Sequence, residues 1–226
     1  MGTTFRECAV ASRKSEVAVF SSLSEPFKNN GYDNNDGDLI CRPNDVVYNP
    51  EGCTYEMVGK LGQGTFGQVM RCSTVDGRSV ALKIIKNKPA YFQQALVELR
   101  ILQTLGHYDR RIVKMVDHFV FRKHLCIVFE LLGGNLYELL RQNGYRGLEI
   151  PIVRSITQQL LRALVCLKRE DVIHCDLKPE NILMTHPRSS RIKLIDFGSA
   201  AFAGQVCYSY IQSRFYRAPD VILVSF

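Results

Sequence analysis

The chain has 226 residues with 46% hydrophobic and 23% charged residues, which leaves room for one or two domains with a sizeable core and excludes a wholly disordered, collagen-like or fibrous protein. The formal net charge is +7, but residues 1–54 sum to −3 and residues 55–226 to +10, with the cations dispersed singly. That distribution fits a site for polyphosphate or acidic side chains and lacks the basic stripe of a nucleic-acid binder.

No stretch approaches the roughly 18 uninterrupted apolar residues of a membrane span; the best, Leu125 to Leu132, carries Glu130. The N-terminus mixes Arg6, Arg13 and Lys14 with Glu7 and Glu16, without the apolar run of a signal peptide, and Arg6 stands where a myristoylation motif needs Ser or Thr. Eight cysteines are scattered with no Cys-x-x-Cys pair, which predicts reduced thiols and a cytoplasmic or nuclear location, or both.

In chain order, residues 1–54 read as a largely irregular arm whose densest turn cluster is Asp33-Asn34-Asn35-Asp36-Gly37-Asp38. Val17 to Leu23, Leu39-Ile40 and Val46-Val47-Tyr48 are its candidate docking patches. Strands follow at Tyr55 to Leu61, Phe66 to Cys72 and Val80 to Ile85, the last two joined by an Asp76-Gly77 turn. Tyr91 to Leu105 reads as a helix through Ala95, Leu99 and Leu102, and Val113 to Phe121 and His124 to Glu130 as two more strands. After Gly133-Gly134 the period becomes helical: Asn135 opens a short helix, and Pro151 starts a longer one with Ile156, Leu160, Leu164 and Leu167 as its buried stripe. The class is α+β, with a five-stranded antiparallel small lobe over residues 55–132 and a mainly helical second lobe over residues 133–226.

Three clusters carry chemistry. Gly62-Gln63-Gly64-Thr65-Phe66-Gly67-Gln68-Val69 lies between two strands, where missing side chains let backbone N–H groups approach phosphate oxygens. Lys83, pointing inward among apolar neighbours, needs an anion, and Glu98 on the inward helix face supplies one. The segment His174-Cys175-Asp176-Leu177-Lys178-Pro179-Glu180-Asn181 offers an acceptor for a hydroxyl proton (Asp176), a charge for a transferring phosphoryl (Lys178) and an oxygen ligand for Mg²⁺ (Asn181). Asp196 in Ile195-Asp196-Phe197-Gly198 is a second hard ligand from another loop.

Together these motifs resemble the eukaryotic protein kinases. With Tyr208-Ser-Tyr210-Ile-Gln-Ser-Arg-Phe-Tyr-Arg217, Asn87-Lys-Pro-Ala-Tyr91 and the acidic cluster before Leu39, the sequence is similar to the DYRK family of the CMGC group, and within it to the Yak-type members. The resemblance implies a bilobal kinase fold, ATP and Mg²⁺ as cofactors, Ser/Thr protein substrates with a weak expectation of a following Pro, and tyrosine autophosphorylation at Tyr210. It implies a bulky Phe129 at the back of the nucleotide cleft. Backbone groups of Glu130, Leu131 and Leu132 would face adenine, Asn135 would lie near the ribose, and Leu61, Val69, Ala81 and Leu183 would line the base. Cys175 replaces the Arg that commonly receives a loop phosphate, so a phosphate on Tyr210 would turn to Arg214 and Arg217.

The family continues through further large-lobe helices, one carrying a Trp, so the resemblance leads us to expect a C-terminally truncated kinase domain and accounts for the absence of Trp. Asp220 also stands where the family has Glu. The alternative to an active kinase is a non-catalytic fragment that binds nucleotide or partners.

Overall fold

The computed structural model describes residue 20 and residues 25–106, 109–187, 189–205 and 210–223. Its centre is a six-stranded antiparallel sheet in the order β1-β2-β3-β4-β6-β5. These strands are β1 (Val46–Tyr48), β2 (Thr54–Gly64), β3 (Gly67–Thr74), β4 (Ser79–Ile85), β5 (Met115–Phe121) and β6 (His124–Glu130), with helix α1 (Pro89–Leu105) inserted after β4. Side chains alternate across a strand, so Leu82 and Ile84 of β4 and Cys126 and Val128 of β6 face one core, while Ile85, Leu125 and Ile127 face another shared with α1 and the large lobe.

The sixth strand, β1, comes from the arm, and this is where the structure departs most from the sequence reading. Leu39, Cys41 and Val47 join the outer core of the sheet, beside Met57, Met70 and Leu82. Polar residues that read as solvated turn formers are enclosed: Asp33, Asn34 and Asp38 are each at most 2% exposed. Burial of such groups requires partners. Asp33 accepts from Asn87 Nδ2 at 2.9 Å and faces His124 Nε2 at 2.8 Å. His124 Nδ1 in turn lies 2.7 Å from Ile85 O, and Lys86 pairs with Asp38 at 3.6 Å. Residues 25–53 are therefore built into the small lobe. Of the Val17 to Leu23 patch only Phe20 is described; its N–H bonds to Cys41 O, and its ring packs against the outer core.

In the large lobe, α2 (Leu136–Gln142) starts in a reciprocal cap, with Glu138 N–H donating to Asn135 Oδ1 at 2.8 Å and Asn135 N–H donating to Glu138 Oε2 at 3.2 Å. Helix α3 (Ile150–Arg169) begins with Pro151, buries Ala163, Cys166 and Leu167, and lays Ile156, Leu160 and Leu164 partly buried on the core. It reaches a mean hydropathy of 1.2 over 18 residues, outrunning Leu125 to Leu132 as the most span-like segment by length and composition; one face packs on the core, while Ile150, Ile152, Val153, Leu161 and Val165 are exposed. Two short ladders follow: β7 (Val172–Ile173) pairs with β10 (Ala201–Phe202), and β8 (Ile182–Met184) pairs with β9 (Ile192–Leu194). A short helix, α4 (Pro219–Leu223), ends the described chain. The six described cysteines are free thiols.

Candidate active site

The cleft between the lobes gathers the three clusters. On its upper wall, the hairpin of β2 and β3 pairs Gly62 with Val69 and Gly64 with Gly67, leaving Thr65 and Phe66 at the turn. Its glycines do different jobs. A Cβ on Gly62 or Gly64 would meet nothing within 4 Å, so their bareness serves open space where a ligand can approach. A Cβ on Gly67, at φ 157°, would lie 2.1 Å from Ile84 O, so this glycine is demanded by packing against β4.

The loop's other side chains spread away from the cleft. Gln68 is fully buried and donates to Leu39 O at 2.5 Å, Gln63 accepts from Lys60, and the Phe66 ring meets Tyr91 edge-on at 5.6 Å. Any contact of Gln63 or Gln68 with a nucleotide is thus through backbone. Leu61, at the start of the loop, is half exposed. Val69 lies opposite Lys83 and Ala81 opposite Phe129 across the sheet, with all four on the face toward the large lobe.

Lys83 is the electrostatic centre of this wall. Its Nζ lies 2.7 and 2.9 Å from the two Glu98 oxygens and 3.0 Å from Asp196 Oδ1. Burial works against the lysine's charge, but the Asp196 and Glu98 carboxylates outweigh it and hold the pKa above the ordinary lysine value. Lys83 in turn keeps Asp196 below the usual carboxylate range. Gly198 N–H also donates to Asp196 Oδ1, and among the described residues no donor reaches Oδ2. Asp196 is held at φ 60°, a strained left-handed conformation, by the fully buried Phe197 that follows it. A Cβ on Gly198 would come 3.0 Å from Lys83 Nζ, so this position keeps the lysine's path clear.

On the lower wall, Asp176 sits in a net of donors. Lys178 Nζ reaches its Oδ2 at 2.7 Å, Asn181 Nδ2 reaches its backbone O at 2.9 Å and Oδ2 at 3.3 Å, and the Ser213 hydroxyl reaches Oδ1 at 2.7 Å. Burial pushes the Asp176 pKa up, but hydrogen bonds from Lys178 and Ser213 overcome this and leave it below the ordinary value, so the carboxylate is ionised at neutral pH. Asn181 donates through Nδ2, which leaves its Oδ1 as an acceptor, and the backbone bond from Ile195 N–H to Asn181 O ties this loop to the segment carrying Asp196; an amide and a carboxylate oxygen are the donor types that suit a hard cation. His174 braces both loops: Nδ1 accepts from Asp176 N–H and Nε2 donates to Ile195 O. Burial lowers its pKa and keeps it neutral, as those two bonds require.

Ser213 was not singled out by the sequence reading. Besides its contact with Asp176, it receives Lys178 Nζ at 3.0 Å, and its own N–H donates to Asp176 Oδ1 at 3.1 Å. Nothing in local spacing marks a serine 37 residues away; only its place in the Gln-Ser-Arg stretch after Tyr210 could have pointed to it. Tyr210 is exposed, with the Arg217 guanidinium 3.9 Å from its ring centroid. The neighbouring Arg217, and after it Arg214, draw the phenol below its ordinary pKa, while the Arg217 guanidinium is itself hydrogen-bonded to Ile211 O and Gln212 O.

At the hinge, Glu130 N–H bonds to Lys114 O, and Gly133 N–H bonds to Met184 O. Leu131 and Leu132 are half-buried, Leu132 packing with Phe129 on the inner core. Asn135 pairs with Leu183 across an isolated bridge, but its Oδ1 is occupied by the α2 cap, so toward a ribose it has only its amide nitrogen to offer.

Residues 55–225 match the family model described as the protein kinase domain. The chain is 51% identical over 201 residues to the DYRK-family kinase pom1 of Schizosaccharomyces pombe, covering 86% of this chain and 18% of that protein. It is 42% identical to the dual specificity protein kinase YAK1 of Saccharomyces cerevisiae, over 98% of this chain and 29% of the relative. It is 43% identical to the human dual specificity tyrosine-phosphorylation-regulated kinase 4, over 92% of this chain and 40% of that one. The chain thus spans well under half the length of each of these relatives. With Lys83, Glu98, Asp176, Asn181 and Asp196 meeting in one cleft and this likeness over most of its length, the chain belongs to the protein kinase family, on its DYRK branch.

Proposed function

We propose that the chain is a protein kinase that transfers the γ-phosphoryl group of ATP to Ser and Thr hydroxyls of proteins and phosphorylates its own Tyr210. The observation that carries this reading is Lys83 bonded to Glu98 and Asp196 together, across the cleft from an ionised Asp176. In a nucleotide site of this kind Lys83 would orient the phosphates, and Asn181 and Asp196 would hold Mg²⁺. When bound, the cation offsets charge on the phosphates. Asp176 orients the acceptor hydroxyl and takes its proton, and Lys178, bridging Asp176 and Ser213, places a positive charge beside the reacting group.

Tyr210 supports the autophosphorylation reading because it is exposed and faces Arg214 and Arg217, which can form charge-assisted bonds to a phosphate there. The names of YAK1 and the human kinase, each a dual-specificity enzyme, point the same way.

The test is to incubate the purified chain with MgATP and a Ser/Thr peptide and map phosphate by mass spectrometry. Phosphopeptide and phospho-Tyr210, both absent from Lys83→Met, are expected. MgATP binding with neither product selects a nucleotide-binding module without catalysis.

A further inference from the structure

Glu130 has a second attachment beyond its backbone bond. Its Oε1 accepts the Lys114 backbone N–H at 2.7 Å and also receives Lys193 Nζ. The two side chains are 28% and 14% exposed, so the pair is partly withdrawn from water and less screened than a surface pair. These contacts join three segments from both lobes: the end of β6, the entry to β5, and β9.

Their position in the fold gives the pair its meaning. Glu130 ends β6 and is followed at once by Leu131 and Leu132, the segment whose backbone faces the nucleotide base in the proposed reading. Lys193 is the cross-strand partner of Leu183, which the nucleotide-site reading puts on the opposite wall of the same seat. Lys193 also precedes Leu194, whose N–H bonds to Arg111 O at 2.7 Å and whose carbonyl accepts from Val113 N–H at 3.0 Å, so the entry to β5 is fixed to β9 as well. The ion pair therefore connects the two walls that have to stand one aromatic ring apart.

We propose that the side chains of Glu130 and Lys193 act as positioning groups, forming an ionic strap that sets the width of the base seat without themselves touching the nucleotide. This rests on the nucleotide-site reading given under Proposed function. Loss of the strap leaves the hinge tied to β8 by the backbone bonds Gly133 N–H to Met184 O and Met184 N–H to Gly134 O but loosens its Glu130 end against β9, so affinity falls for anything that carries the base, whether or not it carries phosphate.

The test measures binding of MgATP and of adenosine to the full 226-residue chain by calorimetry, with melting temperature in parallel, for the wild type, Glu130→Gln, Lys193→Met, Lys193→Arg and the double variant Glu130→Gln/Lys193→Met. Gln at position 130 keeps an acceptor for Lys114 N–H and removes only the charge. We expect each charge-removing variant to weaken both ligands by about fivefold, the low end of coupling between sites. The double variant should be no worse than either single one, and Lys193→Arg should restore most of the affinity. Unchanged affinity in Lys193→Met, beside a wild type that binds, overturns the strap alone. A loss confined to MgATP moves the effect to Asp196 and overturns the assignment to the base seat. A folded wild type that binds neither ligand overturns the nucleotide-site reading and the strap with it.

Discussion

In the small lobe, Lys83 stands on a strand whose neighbours Leu82 and Ile84 are enclosed, and its partner Glu98 comes from a helix with six buried residues. In the large lobe, Asp176 and Lys178 stand on a loop held mainly by polar bonds, and the 20-residue α3 beneath it buries only three residues, with Leu161 and Val165 about half exposed. The upper wall of the cleft is thus positioned by packing and the lower wall by a hydrogen-bond net. A cavity should damage the first most, and the loss of a single polar atom the second.

The sharpest test of this contrast is a pair of equal truncations. Leu82→Ala opens a cavity in a fully enclosed site and should cost about 3 kcal/mol in urea denaturation, whereas Leu164→Ala, on the half-covered face of α3, should cost about 1 kcal/mol. Equal costs would mean that the two lobes are equally well packed. Next in size is Ser213→Ala, which removes one hydroxyl bonded to both Asp176 and Lys178; kcat for peptide phosphorylation should fall about tenfold while the melting temperature stays within a degree or two. A large stability loss with unchanged kcat would show that the net is structural.

The smallest effect concerns pH. His174 is neutral in the fold because burial depresses its pKa, while the unfolded chain takes up a proton near the ordinary value of about 6.5. Its contribution to stability is therefore complete above that value and is lost as pH falls through the depressed folded value. Denaturation midpoints at pH 7.5 and 5.5 should differ more in the wild type than in His174→Gln, which keeps a polar side chain but does not titrate. Equal pH sensitivity would assign the acid loss to other groups.

The elements that a local pattern can specify were legible in the sequence. Short apolar runs placed β4 and β6, the i, i+4, i+7 spacing placed α1, and His174 to Asn181 marked the loop proposed for catalysis because the roles assigned to it depend on short fixed offsets. In the arm, the apolar patches Leu39-Ile40 and Val46 to Tyr48 were legible as docking segments, but the acidic cluster was not, since Asp33 and Asp38 look like exposed turn residues until partners far along the chain are known: His124 lies 91 residues from Asp33. Without tertiary context, a charged residue with a distant hydrogen-bond partner has the same local signature as one facing water. Ser213 escaped for the same reason, and so did the distinction among glycines, because only the backbone of β4 shows that Gly67 is a packing requirement.

If Asp176 accepts the substrate proton during phosphoryl transfer in this cleft, replacing it by asparagine must stop the transfer without disturbing the nucleotide. Initial rates of phosphate transfer to a Ser/Thr peptide should be measured for the wild type and Asp176→Asn, with MgATP affinity determined on the same samples. Asparagine keeps the shape and one acceptor oxygen but cannot take the proton, so the rate should fall about 10³-fold with nucleotide affinity nearly unchanged. A rate within twofold of wild type, with MgATP bound equally well, would contradict the assignment.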